Sequence, residues 1–345
     1  MKVMLRYDLR RVDCPFCGIR AELVPWAEPG SRFTRDFEDQ VAYLAQRCDQ
    51  STVAKTMRMS WSTVGDVVQR VVARVRTEDL LDDLVLIGID ELSYRRHHEY
   101  VTVVVDHVKQ RVVWAAPGKN AATLDSFFDA LGPARTAKLA GVTIDMSAAY
   151  TQAVTQRAPD AMIIYDRFHV QRLVQDALDE VRRSQMRVLE GDDRTAIKKT
   201  RFSLLKNYWN LSTVDVERLA KVQRANGPLF RAYLLKAVFA EILGRSDEFQ
   251  VRHKLEEWIS WARRSRLPPF KRVAATIRKH IEGIIAIVTT GLSNGRTEAL
   301  NGKIRTITRR AFGFHHVSNL VGYIMLCCTG LSLDPVLKFA HPREL

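Results

Sequence analysis

The stretch between residues 84 and 190 alternates short β-type runs with helical patterns, and this alternation restricts the fold more than any other feature of the chain. Apolar residues on alternate positions indicate strands, whereas apolar residues three and four positions apart indicate helices. In the first run, Val85, Ile87 and Ile89 fall on one face. The predicted elements are, in order, strands over 84–92, 100–106 and 111–115, a helix over 121–131, a strand over 142–145, a helix over 150–157, a strand over 162–165 and a long helix from Phe168.

This order predicts an α/β fold. Three meander strands followed by helix, strand, helix and strand match a ribonuclease-H-like core, of which residues 84–190 would form the first part. Residues 191–290 have a helical pattern, broken at Asn226-Gly227-Pro228 and at Pro268-Pro269. Because the core pattern resumes at Leu292, we expect 191–290 to be an all-helical insertion and 291–345 to supply the final helices of the core.

Residues 36–83 predict a helix-turn-helix domain ahead of the core. The first helix is indicated by apolar residues at helical spacing, namely Phe37, Val41, Leu44, Ala45 and Cys48. The last helix, capped by Ser60, has an apolar stripe formed by Val64, Val67, Val68, Val71 and Val75. Four polar residues lie off this stripe and are available to DNA: Ser62, Thr63, Gln69 and Arg70. An ordinary helical hairpin explains the same pattern equally well.

Residues 1–35 contain a partial zinc knuckle, Cys14-Pro15-Phe16-Cys17-Gly18. Cys14 and Cys17 would provide two of the four ligands of a structural zinc site. Cys48 falls at core spacing and no histidine precedes His97, so the ligand set for zinc is incomplete. Five cysteines, an odd number, argue against a disulfide framework and for a reducing compartment.

The chain is strongly basic, with 53 Lys and Arg against 39 acidic residues and a net charge of +14. Such an excess suits a polyanion such as DNA, although a solubilising surface charge is the alternative. Residues 250–280 contain nine Lys and Arg and two Glu, a net +7. In this stretch we assign Arg263, Arg264 and Arg266 to phosphate contacts, and we favour core positions over base stacking for Trp258, Trp261 and Phe270.

Two aspartates follow apolar β-type runs, Asp90 after Ile87-Gly88-Ile89 and Asp145 after Val142-Thr143-Ile144. Side chains at the carboxyl ends of neighbouring strands converge on one crevice. Two carboxylates that meet there repel each other unless a cation lies between them, and oxygen ligands suit magnesium or manganese. A single Asp in such a position is usually a cap or a turn residue, so the pair is the informative feature.

A third carboxylate, Glu298, lies in a predicted helix after residue 292. An apolar stripe is predicted from Leu300, Ile304, Ile307 and Ala311. Glu298, Asn301 and Arg305 are predicted on nearly the opposite face, where Asn301 and Arg305 could reach DNA phosphates. A solvated helix face explains Glu298 taken alone.

Several segments together resemble the ISL3 family of insertion-sequence transposases. These segments are Ile87-Gly88-Ile89-Asp90-Glu91, Tyr165-Asp166-Arg167-Phe168-His169-Val170, residues 292–305, Ala311-Phe312-Gly313-Phe314, residues 10–18 and Val24-Pro25-Trp26-Ala27. The resemblance implies that Asp90, Asp145 and Glu298 are a catalytic DDE triad that binds metal. It also implies an accessory role for Asp166 and His169, an Asp-x-x-His element, and near the site we add Asn301, Lys303 and Arg305. Family members usually have further Cys and His residues upstream of the knuckle, which the 13 residues before Cys14 do not supply.

The resemblance implies a transposase that cuts and rejoins DNA with two magnesium or manganese ions. Its expected partners are double-stranded DNA, as terminal inverted repeats and as target, and further copies of the chain in a homo-oligomer. The alternatives are an inactive or truncated DNA-binding regulator and a nuclease that cuts without joining. With no apolar run of membrane-spanning length and no secretory signal, we expect a cytoplasmic, nucleoid-associated protein.

Overall fold

The computed structural model describes residues 4–95, 99–198, 200–292, 295–314 and 316–333. The chain divides into two compact units, one of residues 1–79 with 304–345 and the other of residues 80–303. The strands are β1 (Arg11–Cys14), β2 (Gly18–Ala21), β3 (Leu86–Arg95), β4 (Glu99–Asp106), β5 (Arg111–Pro117), β6 (Gly141–Ile144) and β7 (Met162–Tyr165). The helices are α1 (Arg35–Arg47), α2 (Gln50–Met57), α3 (Trp61–Val75), α4 (Ala121–Leu131), α5 (Pro133–Thr136), α6 (Ala148–Arg157), α7 (Arg167–Val188), α8 (Gly191–Ile197), α9 (Arg201–Leu205), α10 (Thr213–Ala225), α11 (Gly227–Ile242), α12 (Glu248–Arg264), α13 (Pro268–Lys279), α14 (Ile281–Thr290), α15 (Gly295–Arg310) and α16 (Val317–Cys327).

The larger unit is built on a five-stranded sheet in the order β5-β4-β3-β6-β7. Strands β3, β4 and β5 form the predicted antiparallel meander, and β6 and β7 continue the sheet parallel to β3. All five predicted strands and both helices between them are therefore confirmed, with shifts of a few residues at their ends. The mixed α/β class is confirmed as well.

Strand β3 differs from its prediction in two ways. It continues to Arg95, and it is buried on both faces over Ile87, Gly88 and Ile89, whereas Val85 precedes the strand and is exposed. Ile87 and Ile89 are buried as expected and Val85 is not, while the opposite face at Gly88 is covered by the side chains of His107 and Thr143. At Gly88 a Cβ atom would lie 2.7 Å from His107 Nε2 and 2.9 Å from Thr143 Oγ1, and these two atoms are hydrogen-bonded at 2.7 Å. The buried His107–Thr143 pair therefore needs glycine on the neighbouring strand.

Residues 191–290 are helical apart from short connections, as predicted. Helix α10 ends at Ala225 and α11 begins at Gly227, and α13 begins at Pro268, which confirms both predicted breaks. Asn226 caps α11 by accepting a hydrogen bond from the Leu229 N–H. Helices α11 and α13 pack against α7, which continues directly from β7. No helix among the described residues is long and apolar enough to cross a membrane.

Helix α14 packs against the edge strand β7, and Gly283 permits this close approach. A Cβ atom at Gly283 would lie 2.6 Å from the ring of Tyr165 and 3.0 Å from the Ile163 carbonyl oxygen. The Tyr165 hydroxyl is in turn hydrogen-bonded to His280 Nδ1 at 2.6 Å, just before α14 begins. This contact fixes the helix that precedes Glu298 to the edge of the sheet.

We expect Gly283→Ala to lower the free energy of unfolding by about 1–3 kcal/mol, because the added methyl group meets an aromatic ring and backbone that cannot both move away. Gly302→Ala is the matched control, since Gly302 is also helical and a Cβ there meets nothing within 4 Å. The control should be neutral or more stable by about 0.5–1 kcal/mol, because glycine disfavours helix. Urea denaturation of both variants measures this, and equal effects would contradict the packing argument.

The smaller unit contains α1, α2, α3 and α16. Ser60 caps α3 by accepting from the Thr63 N–H at 3.2 Å, as predicted, and the stripe is buried from Val64 to Val71. Helix α16 packs on α1 and α3, with Gln69 Nε2 donating to Asn319 Oδ1 at 3.2 Å. The sequence placed all of 291–345 with the catalytic core, whereas the structure groups residues from Ile304 onward with the N-terminal helices. The apolar side chains of α16 complete the small core of these helices.

The Cys14–Cys17 knuckle is the turn of a β-hairpin that the sequence did not predict. Strands β1 and β2 pair in antiparallel register, with Cys14 opposite Gly18. Gly18 has a φ of +71°, which suits glycine at the end of such a turn.

Candidate active site

Asp90 and Asp145 each come two residues after a paired position of the neighbouring parallel strands β3 and β6. Gly88 pairs with Thr143 in the β3–β6 register, and each aspartate follows two residues later in its own chain segment. Strand β6 ends at Ile144, so Asp145 does follow a strand, whereas Asp90 lies within β3, which continues along β4. The charges of both aspartates act on the His169 imidazole, so the two carboxylates lie in one region at this end of the β3–β6 pair, as expected.

The Asp90 carboxylate is largely buried and closely surrounded. Its Oδ1 accepts from the Glu91 N–H at 2.7 Å, and its Oδ2 accepts from Asn301 Nδ2. Burial raises the pKa of the Asp90 carboxyl above its ordinary value, and the Asp166 carboxylate raises it further. The Glu91 N–H, the His169 charge and the Asn301 amide act in the opposite direction. Asp90 is thus a carboxylate whose ionised form depends on nearby positive charge and hydrogen-bond donors.

Asp166 and His169 form a fixed pair at the first turn of α7. Asp166 caps the helix by accepting from the Phe168 N–H at 3.0 Å, and its Oδ2 lies 2.8 Å from His169 Nδ1. This hydrogen bond raises the pKa of the His169 imidazole, although burial lowers it, and the charges of Asp90 and Asp145 raise it further. The accessory pair therefore shares one electrostatic environment with the two aspartates of the sheet.

Glu91 is a further acidic residue of this region, and the sequence reasoning did not single it out. Burial raises the pKa of its carboxyl, and the nearby charges of Asp145 and Asp90 raise it further. The Tyr150 hydroxyl is hydrogen-bonded to Glu91 and lies 3.0 Å from Thr102 Oγ1. The position of Glu91 next to Asp90 in the sequence was the available signal, but successive residues of a strand point to opposite faces.

Helix α15 presents its residues differently from the prediction. Ile304 and Ile307 are buried as expected, but Asn301 is buried with them, and Glu298 and Arg305 are exposed. Asn301 is three residues from both Glu298 and Ile304 and so lies between the exposed and the buried face of α15, but the prediction that it is exposed to DNA together with Glu298 was wrong. The hydrogen bond to Asp90 stabilises the Asn301 amide in this buried position.

Glu298 is therefore not grouped with the two aspartates in this structure. Among the described residues, no set of three or more His, Cys, Asp or Glu side chains is arranged to hold a metal ion. What the fold brings together is Asp90, Asp145, Asp166 and His169, with Asn301 against Asp90. Lys303, predicted near the site, is exposed on α15.

The predicted DNA-reading residues of α3 fall into two groups. Ser62 is exposed, and Thr63 lies beside it at the start of the helix, where both hydroxyls contact Ser60 Oγ. Arg70 Nη2, in contrast, lies 2.8 Å from Oε1 of the fully buried Glu38, and Gln69 is hydrogen-bonded to Asn319. The sequence had left Arg70 and Gln69 free for DNA, but the structure uses both side chains inside this unit.

In the basic stretch over 250–280, the aromatic and the arginine side chains lie in different environments, as the sequence predicted. Trp258 and Phe270 are buried in the core, which confirms the preferred interpretation for both, and Trp261 is half-buried. Arg263, Arg264 and Arg266 are all exposed. Their charges therefore lie where a phosphate backbone could contact them.

The two knuckle cysteines lie at the surface of the hairpin. Cys17 is exposed and Cys14 is half-buried, and neither forms a disulfide. Backbone hydrogen bonds from Phe16 and Cys17 lower the pKa of the Cys14 thiol, together with the Cys17 side chain. A thiol with a lowered pKa favours metal binding, but among the described residues no further His, Cys, Asp or Glu side chain joins these two in a metal-binding group.

Family models and related proteins that match this chain are described as transposases or as transposase domains. A family model described as a transposase matches residues 87–324, and a model described as the helix-turn-helix domain of transposase family ISL3 matches residues 22–72. The chain is 39% identical to the transposase for insertion sequence element IS1557 of Mycobacterium tuberculosis, over 99% of this chain and 82% of the relative. It is 30% identical to the transposase for insertion sequence element IS1001 of Bordetella parapertussis, over 91% of this chain and 78% of the relative.

Proposed function

The chain belongs to the ISL3 family of transposases, and from this premise we propose that it cuts and rejoins insertion-sequence DNA at the edge of the sheet formed by Asp90 and Asp145. The observation that supports this location is the equal register of the two aspartates beyond the Gly88–Thr143 pair. We further propose that the sheet is a ribonuclease-H-like core, interrupted by the helical insertion over 191–290. The five-stranded order with a meander followed by two parallel strands supports this.

DDE transposases use divalent cations, and two features around Asp90 favour a cation there, although its acidic neighbours among the described residues are not arranged as a complete metal site in this structure. The Asp90 carboxylate is buried next to the Asp166 carboxylate, an arrangement that a positive charge stabilises. Asn301 Oδ1 is also buried and has no hydrogen-bond partner among the described residues. We propose that Asp90, Asp145 and Glu298 would hold two magnesium or manganese ions, with Glu298 contributing from its exposed position on α15. When bound, these ions supply an activated water and stabilise the leaving oxygen of the phosphodiester.

The protein's own groups would orient the Asp90 carboxylate and bind DNA. Asn301 holds the Asp90 carboxylate through its amide, and the Glu91 N–H holds the other oxygen of the same carboxylate. The Asp166 carboxylate lies 2.8 Å from His169 Nδ1 and favours a protonated imidazole, whose Nε2 could donate to a DNA oxygen. The 3′-hydroxyl produced by the first cut would attack target DNA at the same residues.

The test of this function is a duplex that contains a terminal inverted repeat of the element. We expect nicking at the repeat end only with magnesium or manganese, followed by joining of the new 3′-hydroxyl to a target duplex. Nicking without joining would indicate a nuclease instead. Binding without nicking would indicate a DNA-binding regulator.

We propose that residues outside the catalytic site bind the DNA. The helix-turn-helix model covers residues 22–72, and we propose that Ser62 and Thr63, at the start of α3, contact the terminal repeats. We propose that the exposed arginines of 263–266 contact backbone phosphates, which position the DNA without reading its sequence. A homo-oligomer on paired DNA ends remains the proposed working form.

Neutralising the exposed arginines should weaken DNA binding to all sequences alike. The variant replaces Arg263, Arg264 and Arg266 with Gln. Each phosphate contact contributes about 0.9 to the slope of log affinity against log salt, so loss of three contacts should reduce that slope by about 2.7. Fluorescence anisotropy at several salt concentrations measures the slope.

The matched control replaces three arginines of the same region that are ion-paired to glutamates: Arg245, Arg252 and Arg272. Their charge is already balanced, so the slope should change much less. A loss restricted to the terminal-repeat sequence would contradict the assignment of Arg263, Arg264 and Arg266 to phosphates.

A further inference from the structure

Two aromatic side chains are exposed side by side in the helical insertion. Tyr208 and Trp209 form a 3-10 turn, Tyr208–Asn210, between α9 and α10. They are 54% and 52% exposed, and their rings meet edge to face with centroids 4.8 Å apart. In contrast, Trp258 of the same insertion is buried, and its ring nitrogen donates a hydrogen bond to the Leu235 carbonyl oxygen.

A buried lysine holds the segment that leads into this pair. Lys236, on α11, is only 3% exposed, and its Nζ donates to the Lys206 carbonyl oxygen at 2.6 Å and to Asn207 Oδ1 at 2.9 Å. Burial lowers the pKa of this ammonium to about 8. Placing a lysine in the interior costs free energy, and here its hydrogen bonds fix the two residues before Tyr208.

A buried aspartate holds the same segment from the other side. Asp215, on α10, is 4% exposed and accepts from Ser203 Oγ at 2.7 Å, from Lys206 Nζ at 2.6 Å and from Ser212 Oγ at 2.7 Å. The Lys206 ammonium, first among these donors, keeps the pKa of Asp215 well below its usual range. The backbone on both sides of Tyr208 and Trp209 is therefore anchored to buried charged groups.

The surrounding sequence is strongly basic. Residues 194–225 contain eight Lys and Arg against one Asp and one Glu, so 8 − 2 gives a net charge of +6. Binding sites for single-stranded nucleic acid combine aromatic rings with basic residues, because bases stack on the rings and phosphates bind the cations. Anchoring the rings beforehand reduces the entropy lost when a base binds.

We propose that Tyr208 and Trp209 form a binding site for an unpaired base of DNA, separate from the active-site residues. The base stacks on the exposed indole or phenol ring, and the strand that bears it lies along the basic segment. A fully paired duplex has its bases stacked internally and gains nothing from these rings.

The test compares two duplexes of one sequence, one fully paired and one with a single bulged nucleotide. Binding is measured by fluorescence anisotropy in EDTA with the full-length chain, so that the result does not depend on cleavage. We expect the Tyr208→Ala, Trp209→Ala double variant to bind the bulged duplex about 5- to 150-fold more weakly, the range for loss of stacking on one base. Its affinity for the paired duplex should not change.

Two controls separate stacking from damage to the fold. Phe249→Ala removes another exposed aromatic side chain, 79% exposed on α12, and should leave both affinities unchanged. The double variant Tyr208→Phe, Trp209→Phe should regain binding to the bulged duplex, because phenylalanine also stacks. With the unchanged chain, 2-aminopurine at the bulge should lose fluorescence on binding, since stacking quenches it.

Unchanged affinity of the alanine variant for the bulged duplex, or no quenching of 2-aminopurine with the unchanged chain, would overturn the proposal and favour a protein contact at this pair. Equal weakening for both duplexes would also overturn it. Because these measurements need no divalent ion, failure to cleave DNA would count against the proposed function alone.

Discussion

Replacing Asp90 with Asn is expected to lower the rate of end cleavage by about 1000-fold or more while DNA binding stays intact. Metal-ion catalysis provides several kcal/mol of transition-state stabilisation, and each 1.36 kcal/mol corresponds to a factor of ten in rate. Asn is nearly the same size as Asp and is neutral, so the site keeps its shape but loses the charge that binds the cations. Single-turnover cleavage of an end-bearing duplex, with binding measured in parallel, gives both quantities.

Asp176→Asn is the control for this substitution. Asp176 lies on α7, is exposed and is paired only loosely with Arg172 at 3.7 Å. The same chemical change there should leave cleavage and binding as they are. Cleavage that persists in the Asp90 variant would remove Asp90 from the catalytic residues.

The second large effect is expected at Asn301, which we regard as a positioning residue. Asn301→Ala removes the amide that donates to Asp90 Oδ2, and partners of this kind typically contribute 10- to 100-fold to metal affinity or activity. We expect cleavage to fall by about that factor, with the magnesium concentration for half-maximal rate shifted upward. A purely structural role would lower stability without moving the magnesium dependence.

Gly302→Ala provides the comparison, since it introduces alanine at the adjacent position of α15, where an added Cβ atom has open space. Its cleavage rate and magnesium dependence should match those of the unchanged chain. An Asn301→Ala variant that behaves the same way would show that the contact with Asp90 has no part in the reaction.

Local pattern predicted most of the secondary structure. The helix Ala121–Leu131 and the strand Met162–Tyr165 have the predicted bounds, because their apolar spacing and their flanking turn residues agree. The neighbouring positions of Asp90 and Asp145 could be predicted for a similar reason. Parallel strands that start in register carry equivalent residues to the same edge.

Contacts between residues that are far apart in the sequence could not be predicted. Arg70 pairs with Glu38, and Asn301 with Asp90, although nothing in the spacing of either pair indicates a contact. Helix α16 was assigned to the core because it follows Glu298 in sequence. Its packing on α3 depends on a glycine, Gly65, whose Cβ would lie 2.8 Å from the Asn319 side chain. Such contacts are determined by tertiary packing, which sequence periodicity does not encode.

Asp90, Asp145 and Glu298 are proposed to bind the same pair of divalent cations. The most direct test is anomalous scattering from manganese in crystals of the chain bound to a terminal-repeat duplex. We predict two manganese peaks roughly 3.5–4 Å apart, with carboxylate oxygens of all three residues as ligands. Manganese bound by Asp90 and Asp166 without Glu298, or by none of the three, would contradict the assignment.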